Sequence, residues 1–363
     1  MRARVVIGAN FGDEGKGLAT DYFCSLGAGM VVRFNGGAQA GHTVLTPDGR
    51  RHVFSHIGSG TLAGVPTFLS QFFISNPILF IDEYRTLIEM GVVPIVYAHP
   101  RGIVSTFADM IINQRLENAR GAARHGSVGL GVSETVSRNA LPHLRITVAD
   151  LWNRVPLADK LKEICTNYAA FRTGSPITDK VDDMIEAYIK QCEKFANHVH
   201  PLGIQQCDEP VFEGAQGLLL SEDNTAMFPH VTRSKTGIHN ALLLCEQAGI
   251  TDIHAYYVSR TYLTRHGAGP LPGEDKSMSY DDDTNIPHPY QGTLRFAPLD
   301  TRDLEKRIRE DAKGTPYSLF FTHSDQMVWP SRMIAPVTHI SCGPTRNHVT
   351  DLSEAKRSKA VTI

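Results

Sequence analysis

Hydrophobic positions in the N-terminal part of the chain come in short β-branched runs, each cut off by glycine. Residues 4–7 predict a short buried strand ending at a glycine-rich turn, and the apolar spacing over 15–26 predicts a helix starting beneath it. A second strand is predicted at 30–34, followed by another glycine-rich turn at 35–42. Val44 and residues 52–57, separated by Pro47-Asp48-Gly49-Arg50, predict a hairpin. Further strands are expected at 79–81 and 92–97, and a long helix at 106–119. From 151 to 200 the pattern is mainly helical, with amphipathic spacing over 157–165 and 179–196. Beyond it, strands at 210–212, 252–260, 317–321 and 337–340 alternate with helices at 238–247 and 300–311. Such alternation predicts an α/β fold with a large, mostly parallel sheet covered by helices on both faces.

Composition narrows the function classes. The 363 residues suffice for a sizeable core, and 42% apolar with 20% charged residues is an ordinary globular balance. A formal charge of -2 excludes a protein that coats nucleic acid through many basic contacts, but a small nucleotide needs only a few cations. The six cysteines are scattered without a CxxC pair, so no disulfide framework is expected. The first residues do not read as a secretory leader, and no stretch approaches eighteen uninterrupted apolar residues. A cytoplasmic location without membrane or nucleic-acid partners is expected.

Several segments carry chemistry. Residues 8–17, GANFGDEGKG, place four glycines after a strand and before a helix. Inward-facing backbone N–H groups there, with a helix N-terminus and Lys16, predict a phosphate site related to a P-loop. The segment is neither a strict GxxxxGK[ST] nor a GxGxxG motif. In residues 35–43, NGGAQAGHT, glycine again allows close approach, and His42 can exchange a proton near neutral pH. Gly126-Ser127-Val128-Gly129-Leu130-Gly131 and Arg138 offer a second phosphate site, with Arg138 as a bidentate fork. Gln216 and Gly217 lie in a strand-ending turn, Thr232 follows in PHVT, Asp325 ends THSD, and Ser341-Cys342-Gly343-Pro344 repeats the strand-to-turn design. The acidic run Asp281-Asp282-Asp283 is read as a solvated loop.

At these residues the chain resembles the adenylosuccinate synthetase family. GDEGKG (12–17), GGxxAGHT (36–43), EGAQG (213–217), PxVT ending at Thr232, TRxGAGP (264–270) and SxGP (341–344) match the family's signatures in order, over nearly the whole chain. The resemblance implies one domain over 1–363 with the helical excursion around 151–200, an adenylosuccinate-synthetase-like, P-loop-NTPase-like fold, and a homodimer. It implies a ligase joining L-aspartate to C6 of a 6-oxopurine monophosphate, driven by a nucleoside triphosphate and Mg²⁺. By the same resemblance Asp13 takes the N1 proton, and His42 stabilises the 6-oxygen as it meets the γ-phosphoryl. Lys16, with Asn10, Gly12, Gly15, Gly17, Gly41 and Thr43, handles the phosphate donor, and Asp13 and the Gly41 carbonyl are the metal contacts. The donor's base is expected against Thr322, Asp325, Ser341, Gly343 and Pro344. The purine monophosphate is expected against Asp13, Gln39, Ser127, Gly129, Gln216, Gly217 and Thr232. Arg138 is expected to reach across the dimer, and Arg295 to clamp aspartate.

The chain departs from the family pattern in places. Asn10-Phe11 replaces Gln-Trp, Gln39 replaces asparagine, the segment between Gly131 and Arg138 is short, and THSD replaces TKxD. The aspartate loop has no arginine run, and residues 291–296, QGTLRF, contain only Arg295. These departures resemble the phage branch that acts on dGMP to make the precursor of 2-aminoadenine DNA. That branch implies an ATP or dATP donor, whereas the Asp325 carboxylate by itself matches the N1–H and N2–H₂ donors of GTP. The alternatives are an ordinary IMP-using synthetase and a non-catalytic purine-nucleotide-binding protein.

Overall fold

In the computed structural model the described residues are 1–280, 282, 292–326 and 335–353. Fourteen strands are described: β1 (Arg2–Gly8), β2 (Met30–Arg33), β3 (His42–Leu45), β4 (Arg51–Phe54), β5 (Thr67–Leu69), β6 (Val96–Ala98), β7 (Val199–Pro201), β8 (Pro210–Gly217), β9 (Asp252–Arg260), β10 (Tyr262–Arg265), β11 (Arg295–Pro298), β12 (Tyr317–Thr322), β13 (Val337–Ser341) and β14 (Val349–Asp351). Ten form one sheet in the order β14-β13-β12-β9-β1-β8-β2-β5-β6-β7. Every neighbouring pair is parallel except β13 and β14. β3 pairs with β4, and β10 with β11, in two separate antiparallel ribbons.

β1 lies inside the sheet, and its continuous apolar run follows from burial on both faces. Val5 and Ile7 share a core cluster with Ala241 and Leu244 of helix His239–Ala248 and with Leu304 and Ile308 of helix Thr301–Ala312. Val6, between them in sequence, packs instead with Ala19 and Phe23 of helix Lys16–Ser25. Burying each such large side chain contributes roughly 1.5–3 kcal/mol. A third cluster joins helices Pro77–Glu89 and Val181–His198 through Phe80, Leu87, Tyr188 and Phe195, and reaches Val96 and Val199 on β6 and β7. The helical excursion therefore returns the chain to an edge of the sheet.

The predicted parallel sheet is the one observed, with local differences. Residues 79–81 are not a strand but lie in helix Pro77–Glu89. Asn76 caps that helix by accepting from the N–H groups of Ile78 and Leu79, and Pro77 pre-sets its first turn. A short apolar run does not by itself separate strand from helix. Of 92–97 only the end pairs, as β6, and 210–212 lengthens into β8, which carries the sheet through Glu213 to Gly217. Because β1, β2, β8, β9, β12 and β13 are parallel, the turns after them open on one edge, where ligands bind in open α/β sheets.

Candidate active site

The turn after β1 is left-handed at Gly12 (φ 96°), Asp13 (φ 60°) and Gly15 (φ 94°). A Cβ on Gly15 would lie 2.9 Å from Thr322 Cγ2, so both the backbone angle and the close approach of β12 require glycine. The Thr322 hydroxyl in turn donates to the Glu14 carbonyl (2.7 Å). Part of the expected phosphate nest is already filled. Glu14 Oε1 accepts from the N–H groups of Asn10 (2.9 Å) and Gly12 (2.8 Å), and Oε2 meets Lys16 Nζ at 2.9 Å. Helix Lys16–Ser25 has no side-chain cap, so the amides of its first turn remain for an anion.

His42 reaches this turn because Gly17 has no side chain. A Cβ there would sit 2.8 Å from the Thr43 carbonyl and 3.2 Å from His42 Cβ. His42 Nδ1 lies 2.8 Å from Glu213 Oε1. Glu213 also accepts from the Ser59 N–H (3.1 Å), the Ser59 hydroxyl and Arg33 Nη1 (3.3 Å). Arg33 and Glu213 are register partners on β2 and β8, and both are fully buried. Burial by itself would raise the Glu213 carboxyl, but His42 and Arg33 beside it win and hold it at about 2. For His42 the balance reverses: burial pushes the imidazole below its usual range against the pull of Glu213, with Arg33 and Lys16 adding to the depression. Because a carboxylate can only accept, the ring presents Nδ1–H to Glu213. Its Nε2 is buried and has no hydrogen-bond partner among the described residues. Glu213 belongs to the EGAQG motif, but its service to His42 was missed. A lone acid inside an apolar strand is the signal.

The opposite wall carries Asp13, whose side chain is 39% exposed toward the cavity. Its Oδ2 lies 2.8 Å from His266 Nδ1, and its carbonyl accepts from Arg260 Nε (2.7 Å). Burial opposes ionisation of Asp13, but the His266 hydrogen bond and charge, with Arg260 and Lys16, hold it below the ordinary carboxylate value. Arg260 is neutralised by Asp282 at 2.7 Å. Asp282 is therefore not part of a solvated acidic run; its side chain is 8% exposed, while Asp281 and Asp283 lie outside the described residues. His266 occupies the variable position of TRxGAGP, which hid it from motif reading.

These walls enclose a cavity of about 850 Å³. It is lined by Gly12, Asp13, Gly15, Lys16, Gly17, Gln39, Gly41, His42, Thr43, Ser127, Gln216, Thr232, Thr322, Asp325, Gly343 and Pro344. Six expected residues do not line it. Asn10 is pinned by Ser259 (2.9 Å) and Arg307 (2.8 Å). Gly129 and Ser341 support the lining through hydrogen bonds with Ser127 and the Gly343 carbonyl, while the Gly217 carbonyl accepts from the Thr236 hydroxyl. Arg138 needs correction: it is fully buried, bidentate with Asp109 (2.9 Å twice), and donates to the Leu144 and Val104 carbonyls (2.7 Å each). A fork held on four sides cannot reach a second subunit. Arg295 is also corrected: it pairs with Glu274 (2.7 Å) and donates to the Gly267 and Gly269 carbonyls (2.8 Å each). Gln291, the start of the expected aspartate loop, lies outside the described residues.

The donor set suits Mg²⁺. Asp13 and Gly41 both line the cavity, where carboxylate and carbonyl oxygens are the hard donors that such an ion takes. No group of three His, Cys, Asp or Glu among the described residues could hold an ion by itself. Among the described residues, no helix is long and apolar enough to cross a membrane.

Residues 5–293 match the family described as adenylosuccinate synthetase. The chain is 32% identical over 292 residues to the adenylosuccinate synthetase of Alkalilimnicola ehrlichii, a match covering 74% of this chain but 64% of that protein. It is 29% identical over 374 residues to that of Mesoplasma florum, covering 96% and 83%. In fold it is similar to the fully ligated Plasmodium falciparum adenylosuccinate synthetase, with a TM-score of 0.74, 16% identity and coverage of 97% and 100%. It is also similar to cyanophage S-2L succinoaminodeoxyadenylate synthetase bound to dGMP and dATP as an energy donor, with a TM-score of 0.62, 15% identity and coverage of 96% and 95%. With the strand-end turns, the signature motifs and the family match in agreement, this chain belongs to the adenylosuccinate synthetase family.

Proposed function

We propose that the protein joins L-aspartate to C6 of dGMP, giving 2-amino-2′-deoxy-N6-succinyladenylate, a nucleoside diphosphate and phosphate. The observation that carries the ligase reading is the placing of Asp13, Lys16 and His42 on one cavity, with Glu213 behind the histidine. A purine 6-oxo group is a poor leaving group and must first be phosphorylated. The Asp13 carboxylate takes the N1 proton, electron density moves to O6, and O6 attacks the γ-phosphorus while the bond to the β-phosphate oxygen breaks. Lys16 and the first-turn amides of helix Lys16–Ser25 hold the transferring group. His42 Nε2 is open to a proton, and the Glu213 carboxylate stabilises the imidazolium that then faces the 6-oxygen. The neutral aspartate amine next attacks C6, the C6–O bond breaks, and phosphate leaves, carrying away the proton that the new C6–N bond sheds. Asp13 and the Gly41 carbonyl would hold Mg²⁺, which would supply charge neutralisation on the triphosphate.

The choice of dGMP rests on the missing arginine run and the short 131–138 segment, both of which resemble the phage branch. Orthodox IMP chemistry is the second reading, favoured by the names of the sequence relatives and by the higher fold similarity to the Plasmodium enzyme. An adenine donor, ATP or dATP, goes with the dGMP reading, and GTP with the other. Asp325, with its neighbours His323, Gly343 and Pro344, lines the part of the cavity assigned to that base. A cytoplasmic homodimer completes the proposal on resemblance alone. The test is the specificity constant for dGMP, IMP and GMP with saturating aspartate and a fixed donor. Higher values for dGMP are expected; a clear IMP preference overturns the substrate and leaves the chemistry.

A further inference from the structure

We infer that His266 is a positioning residue for the base, fixing which oxygen of Asp13 faces the substrate; the inference rests on Asp13 acting as the base. The Asp13 backbone is set in a left-handed conformation (φ 60°) with its carbonyl held by Arg260. The remaining freedom is rotation of an exposed carboxylate. His266 Nδ1–H removes it by donating to Oδ2 (2.8 Å), which leaves Oδ1 for the ring N–H. A carboxylate oxygen has two lone-pair directions, so Oδ2 can accept from His266 and still make a second contact.

The loop that delivers His266 is braced. Arg265 donates to the carbonyls of Ala268 (3.0 Å) and Pro270 (2.9 Å) and, outside the loop, His230 (3.1 Å). Arg295 takes the Gly267 and Gly269 carbonyls between them. Both glycines are left-handed (φ 77° and 106°), and a Cβ on Gly269 would lie 2.7 Å from the His230 side chain. Four successive carbonyls are thus tied to two guanidiniums, while the histidine itself is spent on Asp13 and not on bracing. Arg295, which resemblance assigns to aspartate, and Arg265 together hold a histidine against the base. Small misalignment of a proton acceptor slows the chemical step without weakening ground-state binding.

The experiment compares His266→Ala, His266→Asn and Asp13→Asn in the full chain, with whichever of dGMP and IMP turns over faster. Loss of a charge-assisted hydrogen bond to the base is expected to lower kcat about 10- to 100-fold in His266→Ala. The nucleotide Kd, read by equilibrium titration, should change less than about threefold, because uniform binding is untouched. His266→Asn, which restores an N–H donor, should recover most of kcat. Unchanged kcat in His266→Ala, or an Asn variant as slow as Ala with an equal drop in unfolding midpoint, overturns the inference. If Asp13→Asn is inactive while His266→Ala is unimpaired, only the role of His266 falls. If Asp13→Asn keeps the parent rate, the base assignment falls with it.

Discussion

The two walls of the cavity solve the problem of burying charge in different ways. On the His42 wall, each charge meets an opposite charge from a neighbouring strand or turn: Lys16 with Glu14, and Arg33 with Glu213. On the Asp13 wall Arg260 meets Asp282, but Arg265 relies on the backbone carbonyls of Ala268, Pro270 and His230, and Arg295 divides its donors between Glu274 and the Gly267 and Gly269 carbonyls. Burial without a carboxylate, with Arg295 nearby, lowers Arg265 to about 10. The first wall is built into the sheet, so damage there removes stability and rate together. The second is a braced loop added to the sheet, and there rate or substrate affinity can change while the fold persists.

The largest effect expected is on the second wall. Asp13→Asn removes the proton acceptor at nearly constant volume and should lower kcat by about 100- to 10,000-fold. Its unfolding midpoint should stay near that of the parent, since the side chain is open to the cavity. A large loss of stability would erase the contrast between the walls.

On the first wall, Glu213→Gln leaves Arg33 buried without its counter-charge and should cost about 3–5 kcal/mol in denaturant unfolding, along with rate. Glu213 also predicts an acid dependence. Its folded value of about 2 lies below the ordinary glutamate value of 4.5, so the stabilisation is present above pH 4.5 and lost as pH falls toward 2. Glu213→Gln should therefore flatten the acid limb of stability. An equally steep limb in the variant would remove Glu213 from that account.

The smallest effect is expected from Arg295→Ala. Its side chain is 27% exposed, and Arg265 still holds Ala268 and Pro270. Stability should change by less than about 1 kcal/mol, as for a partly exposed ion pair. The rate constant kcat, read in initial-rate assays, should fall several-fold because the loop that carries His266 loosens. A collapse of stability would make the ribbon part of the core, contrary to the comparison.

How much of this was legible follows the same division. The strands around β1 and the glycine turns after β1 and β2 are local patterns, and glycine at 15 and 17 answers to close approaches that sequence spacing anticipates. Arg138 was misread because its partner, Asp109, is 29 residues away, and a fork suited to phosphate is equally suited to a buried carboxylate. Arg295 was misread for a similar reason: backbone carbonyls compete for guanidiniums, and they carry no signature in the sequence. Glu213 stood inside a recognised motif, yet its role depended on β2 and β8 lying in register. His266 had neither a motif position nor a local pattern, and only the folding of the loop after β10 brings it to Asp13.

The account turns on chemistry at the Asp13–His42 cavity, and one assay addresses it most directly: phosphate release and product mass with purine monophosphate, triphosphate, Mg²⁺ and L-aspartate, each omitted in turn. The predicted result is a succinyl-purine nucleotide formed only when all four are present, with dGMP used more efficiently than IMP. Folded protein that forms no succinyl product from either nucleotide, across GTP, ATP and dATP, would contradict it.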